Sequence, residues 1–241
     1  MNYLKELIFK RGGNGHHAGR TNFIFNCILI FLVFCISIAF TGCGGDSSDD
    51  DSNKFDYSLG ANNIGKTGPG GGKIFYYSES GFTDSYTGET CHYLEAAPAD
   101  MGTLLAWEPF PSLIIGGGGL ISVLGLGIGS GRMNTTTILY TAIDYYMDPD
   151  PGTNVPAAYA CNTYTNNGKS DWFLPSKGEL NELYKQKNLF TNFGTTGYPS
   201  HIYWSSSLSS SCPWVQYFND GTQFSDHSMT NAFSVRAIRS F

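Results

Sequence analysis

Asp171–Tyr184 reads "DWFLPSKGELNELY", and the fold is decided by how this stretch is read. Pro175 holds the chain extended ahead of Ser176, and Ser176 with Glu179 three residues on has the form of a capping box. Leu180, Leu183 and Tyr184 then recur at helical spacing, and Lys185 and Lys187 suit the negative end of a helix dipole. The spacing predicts a short helix from Ser176 whose apolar stripe is core. Glu179 and Glu182 could be read as paired carboxylates, but capping and solvation account for them, so acid–base chemistry is not assigned.

Outward from this helix the chain turns to β structure. "GKTGPGGGKIFYY" (Gly65–Tyr77) is a glycine–proline turn feeding a strand at Lys73–Tyr77, and "CHYLEAAPAD" (Cys91–Asp100) gives a second strand at Tyr93–Ala97 stopped by Pro98. Toward the C-terminus "IYWSSS", "WVQYF", "TQF" and "SVRAIRSF" read as short strands, with a turn at Asn219-Asp220-Gly221. A further helix is expected over Asn134–Tyr146, where Ile138, Ala142 and Tyr145 repeat at helical spacing. Two helices among many irregular strands predict an α+β domain. The glycine-rich run before Asn134 contains no phosphate-loop signature and opens no helix after a strand, which leaves nucleotide binding without support.

The first 42 residues belong to a different segment. Lys5, Lys10, Arg11 and Arg20 stand against Glu6, and the uncharged run "FIFNCILIFLVFCISIAF" (Phe23–Phe40) follows. This is the pattern of an export signal, with an uncleaved membrane anchor as its rival. "AFTGCGG" then resembles the lipobox of bacterial lipoproteins, with Gly42 before Cys43 as the lipid-bearing residue. Phe40 departs from the usual leucine. Gly44 avoids the inner-membrane retention signal, so display at the outer membrane is expected. Residues 43–56 are acidic and Gly/Ser-rich, the composition of a disordered tether.

Of 14 Lys+Arg and 20 Asp+Glu in the chain, the leading segment takes four and one, which leaves 10 basic against 19 acidic residues and a net charge of −9 from Cys43 onward. Such a body has no basic stripe, and nucleic acid is not an expected partner. The exported body holds Cys91, Cys161 and Cys212. Cys91 with Cys161 is the candidate disulfide in an oxidising compartment, two buried thiols being the other reading. No CxxC or His/Cys cluster is present, so neither a metal nor a cofactor is expected. His92, His201 and His227 are scattered, and no catalytic set emerges.

In order, "GKTGPGGGKIFY", "CHYLEAAPAD", "GSGRMNTTTI", "DWFLPSKGELNELY", "YWSSS" and the terminal "VRAIRSF" resemble the C-terminal domain family of bacterial collagen-like adhesins. The resemblance covers about Ile64 to Phe241. It implies a single C-type-lectin-like domain over 57–241 that binds a surface glycan or protein ligand, often as an oligomer. Some proteins of this kind are targets of diversity-generating retroelements, which rewrite a C-terminal stretch. No collagen-like repeat precedes the domain here, and the calcium-ligand triplets of sugar-binding C-type lectins are absent from the sequence.

The resemblance also divides the C-terminal residues into frame and face. Trp172, Phe173, Leu174, Trp204, Trp214 and Phe218 are anchors, each stabilising by roughly 1.5–3 kcal/mol when buried. Arg236 and Arg239 are expected to clamp the C-terminus to acidic or carbonyl partners. Between these anchors lie side chains of mixed chemistry, as in a binding face on a rigid scaffold. They are Ser207, Leu208, Ser210 and Val215 on the serine run and the strand after it; Tyr217, Asn219, Asp220 and Thr222 at the turn; and Phe224, Asp226, His227, Met229 and Phe233 beyond it. The alternation equally suits two faces of terminal strands, with Val215, Tyr217 and Phe224 turned inward. The expected function is ligand recognition or adhesion at the cell surface. The alternatives are an enzyme like those that generate formylglycine, which rely on reactive cysteines, and a structural envelope or filament subunit.

Overall fold

The capping box at Ser176 forms as the sequence requires. In the computed structural model, Ser176 Oγ accepts from the Glu179 amide at 3.2 Å, and Glu179 Oε2 accepts from the Ser176 amide at 2.7 Å. The helix it opens, α3, spans Lys177–Lys185, preceded by α1 (Gly131–Tyr146) and α2 (Pro156–Asn162). Short 3₁₀ turns lie at Tyr57–Asn63, Pro151–Thr153 and Lys187–Leu189. The structure describes residues 55–109, 124–194, 196–209 and 212–241. The apolar run Phe23–Phe40, Cys43, the acidic tether through residue 54, and Ser210 lie outside them. Among the described residues no helix is long and apolar enough to cross a membrane.

Helix α1 begins three residues ahead of the predicted start. Ile138, Leu139 and Ala142 are its buried apolar positions; Tyr145, expected in the stripe, is instead exposed. Helix α3 buries Leu180 and Leu183 as its spacing predicts.

Eight short strands make three antiparallel sheets among the described residues. β1 (Lys73–Thr83), β2 (Thr90–Ala96) and β8 (Ile238–Ser240) form one sheet in the order β1-β2-β8. β3 (Leu105–Ala106) pairs with β7 (Ala232–Phe233). β4 (Ile202–Leu208), β5 (Pro213–Tyr217) and β6 (Gln223–Phe224) form the third, in sequence order. The architecture is α+β. Lys54–Phe241 forms one compact unit.

The glycine turn before β1 closes around a buried carboxylate. Gly70 and Gly72 donate their amides to Glu95 at 3.0 Å each, and a Cβ at Gly72 would collide with the Ala96 carbonyl, so glycine is required there. Two apolar clusters fill the interior. One gathers Trp107, Trp172, Trp204, Leu174, Val215 and Phe233 with the inner faces of α1 and α2. The other gathers Phe75, Leu94, Phe173, Leu180, Tyr203 and Phe218.

Cys91 and Cys161 are separate, buried free thiols, which corrects the expected disulfide. Cys91 sits on β2 near Ser240, and Cys161 on α2 in the apolar core; burial pushes both thiols up. A neutral thiol is a poor nucleophile.

Candidate functional site

The run Ser205-Ser206-Ser207, which resembles linker in composition, lies wholly inside β4. Its small hydroxyls tie neighbouring segments to the sheet. Ser205 Oγ donates to the Trp214 carbonyl at 2.9 Å, Asn134 donates to Ser206 Oγ at 3.3 Å, and Ser207 Oγ donates to the Gly125 carbonyl at 2.6 Å while accepting from the Lys177 amide at 2.8 Å. Serine is small enough to fit against backbone there and still satisfy its polar groups. Trp107 and Trp204 point their indole N–H groups at the Ser205 and Leu105 carbonyls, at 3.0 and 2.9 Å.

This corrects four of the expected ligand-facing residues. Ser207, Leu208, Val215 and Phe233 are buried: β4 is covered along its whole length, Val215 packs into the larger apolar cluster, and Phe233 on β7 is enclosed between Trp204 and His227. Tyr217, His227 and Met229 are half-buried, and Asn219, Asp220, Thr222, Phe224 and Asp226 are exposed. Trp172 and Trp204 lie in the core, whereas Trp214 is half-exposed, with the Lys177 ammonium 3.3 Å from its ring centre.

Both arginines are inward. Arg236 is fully buried, with Nε 2.6 Å from Asp100 Oδ1 and Nη1 donating to the Ala97 carbonyl. Arg239 makes a two-pronged pair with Asp171, at 2.8 and 3.0 Å, and reaches Glu95 at 3.2 Å. Its neighbour Arg132 pairs with Asp84 at 2.7 Å, and Ser240 donates to the same Asp84 oxygen. A cavity of about 340 Å³ opens beside these groups, but their donors and acceptors are engaged with one another. Among the described residues no group of three or more His, Cys, Asp or Glu is placed to hold a metal ion.

The exposed candidates come together elsewhere, as a ledge of rings. The turn after β5 is closed by Gly221, in the left-handed region at φ 87°, and by the Thr222 amide, which donates to Asp220 Oδ1 at 2.9 Å. That hydrogen bond holds the Asp220 carboxyl below its ordinary range. β6 then lays Phe224 opposite Val215, so that the Phe224 ring meets Tyr217 edge-on at 5.2 Å. His227 stacks on Tyr217 at 5.9 Å, and its Nε2 lies 2.9 Å from the phenol oxygen. Phe233 is the floor: it touches His227 at 5.2 Å above and Trp204 at 4.7 Å below, joining the ledge to the core.

Two residues of the ledge carried no signal in the strand pattern, because they precede β4 in a turn. Tyr198 is 70% exposed and faces Phe233, and His201 lies between Tyr198 and Tyr217, at 6.4 and 5.4 Å. Burial, and then the proximity of Tyr198, Asp226 and Asp220, raise the Tyr217 phenol above its usual range. Phe224 is 40% exposed and the Asp226 side chain 76%, so the outer rim is open to solvent. Chemically the ledge offers ring faces for stacking, flanked by carboxylates and hydrogen-bonding groups. No family model matches this chain, and no curated protein or solved structure does either.

Proposed function

We propose that the chain is an exported, lipid-anchored surface protein whose lectin-like domain binds a ligand through the ledge formed by Tyr198, His201, Tyr217, Phe224 and His227. The supporting observation is the ledge itself: solvent-facing rings held on a floor that is continuous with the core. Exposed aromatic groups on a fixed backbone provide contact area with little ordering cost on binding. The buried serine run and the inward arginines support the frame and stand apart from recognition. In this reading Cys43 carries the lipid, and the acidic tether spaces the domain from the membrane.

Tyr198→Ala with Phe224→Ala is the informative variant, because both side chains lie outside the buried core, Tyr198 70% and Phe224 40% exposed. Binding to the target surface, scored on glycan and surface-protein arrays, is expected to be lost while the melting temperature stays within a few degrees of the parent. Retained binding would overturn the reading. Mass spectrometry of the membrane fraction is expected to find a chain that begins at Cys43 and carries acyl groups on that residue; an unmodified Cys43 behind an intact Phe23–Phe40 run would rule out the lipid.

A further inference from the structure

From Asn188 to Val235 the chain contains no Lys, Arg or Glu; its charged residues are Asp220 and Asp226. This interval supplies every ring of the ledge. Asp226 Oδ1 lies 4.0 Å from His227 Nε2, at the rim formed by Phe224, Tyr217 and His227. An electron-rich ring face attracts a cation through its quadrupole, and a carboxylate beside it adds direct charge attraction.

The rings next to the ledge are treated differently. On the α3 side of the same sheet, Lys177 sits 3.3 Å over Trp214, and Lys187 sits 4.4 Å over Tyr184 while donating to the Phe218 and Asn219 carbonyls. Asp220 therefore has a lysine in its neighbourhood. The Asp226 end does not: among the described residues, no Lys or Arg lies over Tyr198, Tyr217 or Phe224. The chain thus covers its neighbouring aromatic faces with its own ammonium groups and leaves the ledge, the acidic one, uncovered.

We infer that the ledge recognises an alkylammonium group, held over Phe224 and Tyr217 with Asp226 as its counter-charge. This rests on the ledge being the binding face and names the chemistry of what it binds. A quaternary ammonium such as choline and the side chain of lysine share that chemistry. A polyanion would meet the Asp226 carboxylate at this end, with no Lys or Arg over these ring faces among the described residues. The cost of losing one exposed ring–cation contact is roughly a two- to fivefold weakening.

The test uses the full-length protein in a non-ionic detergent and saturation-transfer NMR on ligand methyl and methylene signals. The probes are choline, N-acetyl-lysine amide, and 3,3-dimethylbutan-1-ol, the uncharged shape-mimic of choline. Choline or the lysine probe is expected to bind several-fold more tightly than the neutral mimic, with Asp226→Asn and Phe224→Ala each weakening the cation two- to fivefold or more. The better of the two cations identifies the source. Binding of neither cation more tightly than the neutral mimic would overturn the inference, as would cation binding untouched by Asp226→Asn and Phe224→Ala. If no cation binds while the Tyr198/Phe224 double alanine still abolishes binding to the target surface, the ledge remains the binding face and the alkylammonium assignment falls.

Discussion

Glu179 is fully buried between the starts of two helices. Its Oε1 accepts from the Gly129 amide at 2.8 Å and the Gly131 amide at 3.5 Å, and its Oε2 from Ser176. Loss of water around the carboxyl outweighs these donors and raises it from 4.5 to about 7. Because the folded value lies above the unfolded one, the stability from this group is complete below pH 4.5 and fades as the pH climbs through about 7. We expect the advantage of the parent over Glu179→Gln, read from urea unfolding, to shrink between pH 4.5 and 8. An advantage that grows with pH would show that the amides, and not the burial, govern the proton. Ser207 is a second case of one side chain serving two segments. Ser207→Ala leaves the Lys177 amide without its acceptor, while the Gly125 carbonyl keeps the Asn134 side-chain amide at 2.7 Å, and about 1–3 kcal/mol of unfolding free energy should be lost in the same assay.

At the scale of elements, helix α3 was readable because its cap, stripe and terminal lysines depend only on neighbours in sequence. β4 and β5 were harder. Strand periodicity separates two faces but does not say whether the second face meets water or another layer, so Ser207 and Leu208 read as ligand-facing and Val215 as either, although β4 is covered along its whole length and Val215 is core. Tyr198 and His201 join the ledge only through contacts with Tyr217 and Phe233, which no local pattern encodes. The consequence for substitutions is a sharp contrast within a few residues. Leu208→Ala should cost about 2–5 kcal/mol, since the side chain is 1% exposed in the larger apolar cluster. Phe224→Ala, on the solvent side of β6, should cost much less. Thermal melts of the pair check the order, and a larger effect at Phe224 would mean that the rim is part of the core.

Across the whole molecule, Arg239 joins regions distant in sequence: Asp171 ahead of α3, and Glu95 on β2, which itself holds the glycine turn through Gly70 and Gly72. Arg239→Ala leaves Glu95 buried without its counter-charge, and a loss of about 3–5 kcal/mol is expected. Asp171→Asn should cost less, because Asp171 is 38% exposed and water can replace part of what is removed. Equilibrium denaturation of both variants tests this order. At the same pole, Phe55 packs edge-on against Phe241 and Phe241 stacks on Tyr93, so the chain enters the domain where it also ends. The ledge lies on the other three-stranded sheet, beyond a hairpin with an alternating character. Thr222, Phe224, Asp226, Ser228 and Thr230 face water, while Gln223, Ser225, His227 and Met229 between them are partly covered. Gln223 ties that inner row to the Lys177 carbonyl and to Gln216. A lineage carrying this domain could therefore change the chemistry of this surface one codon at a time at every second position, without first acquiring compensating mutations elsewhere in the gene.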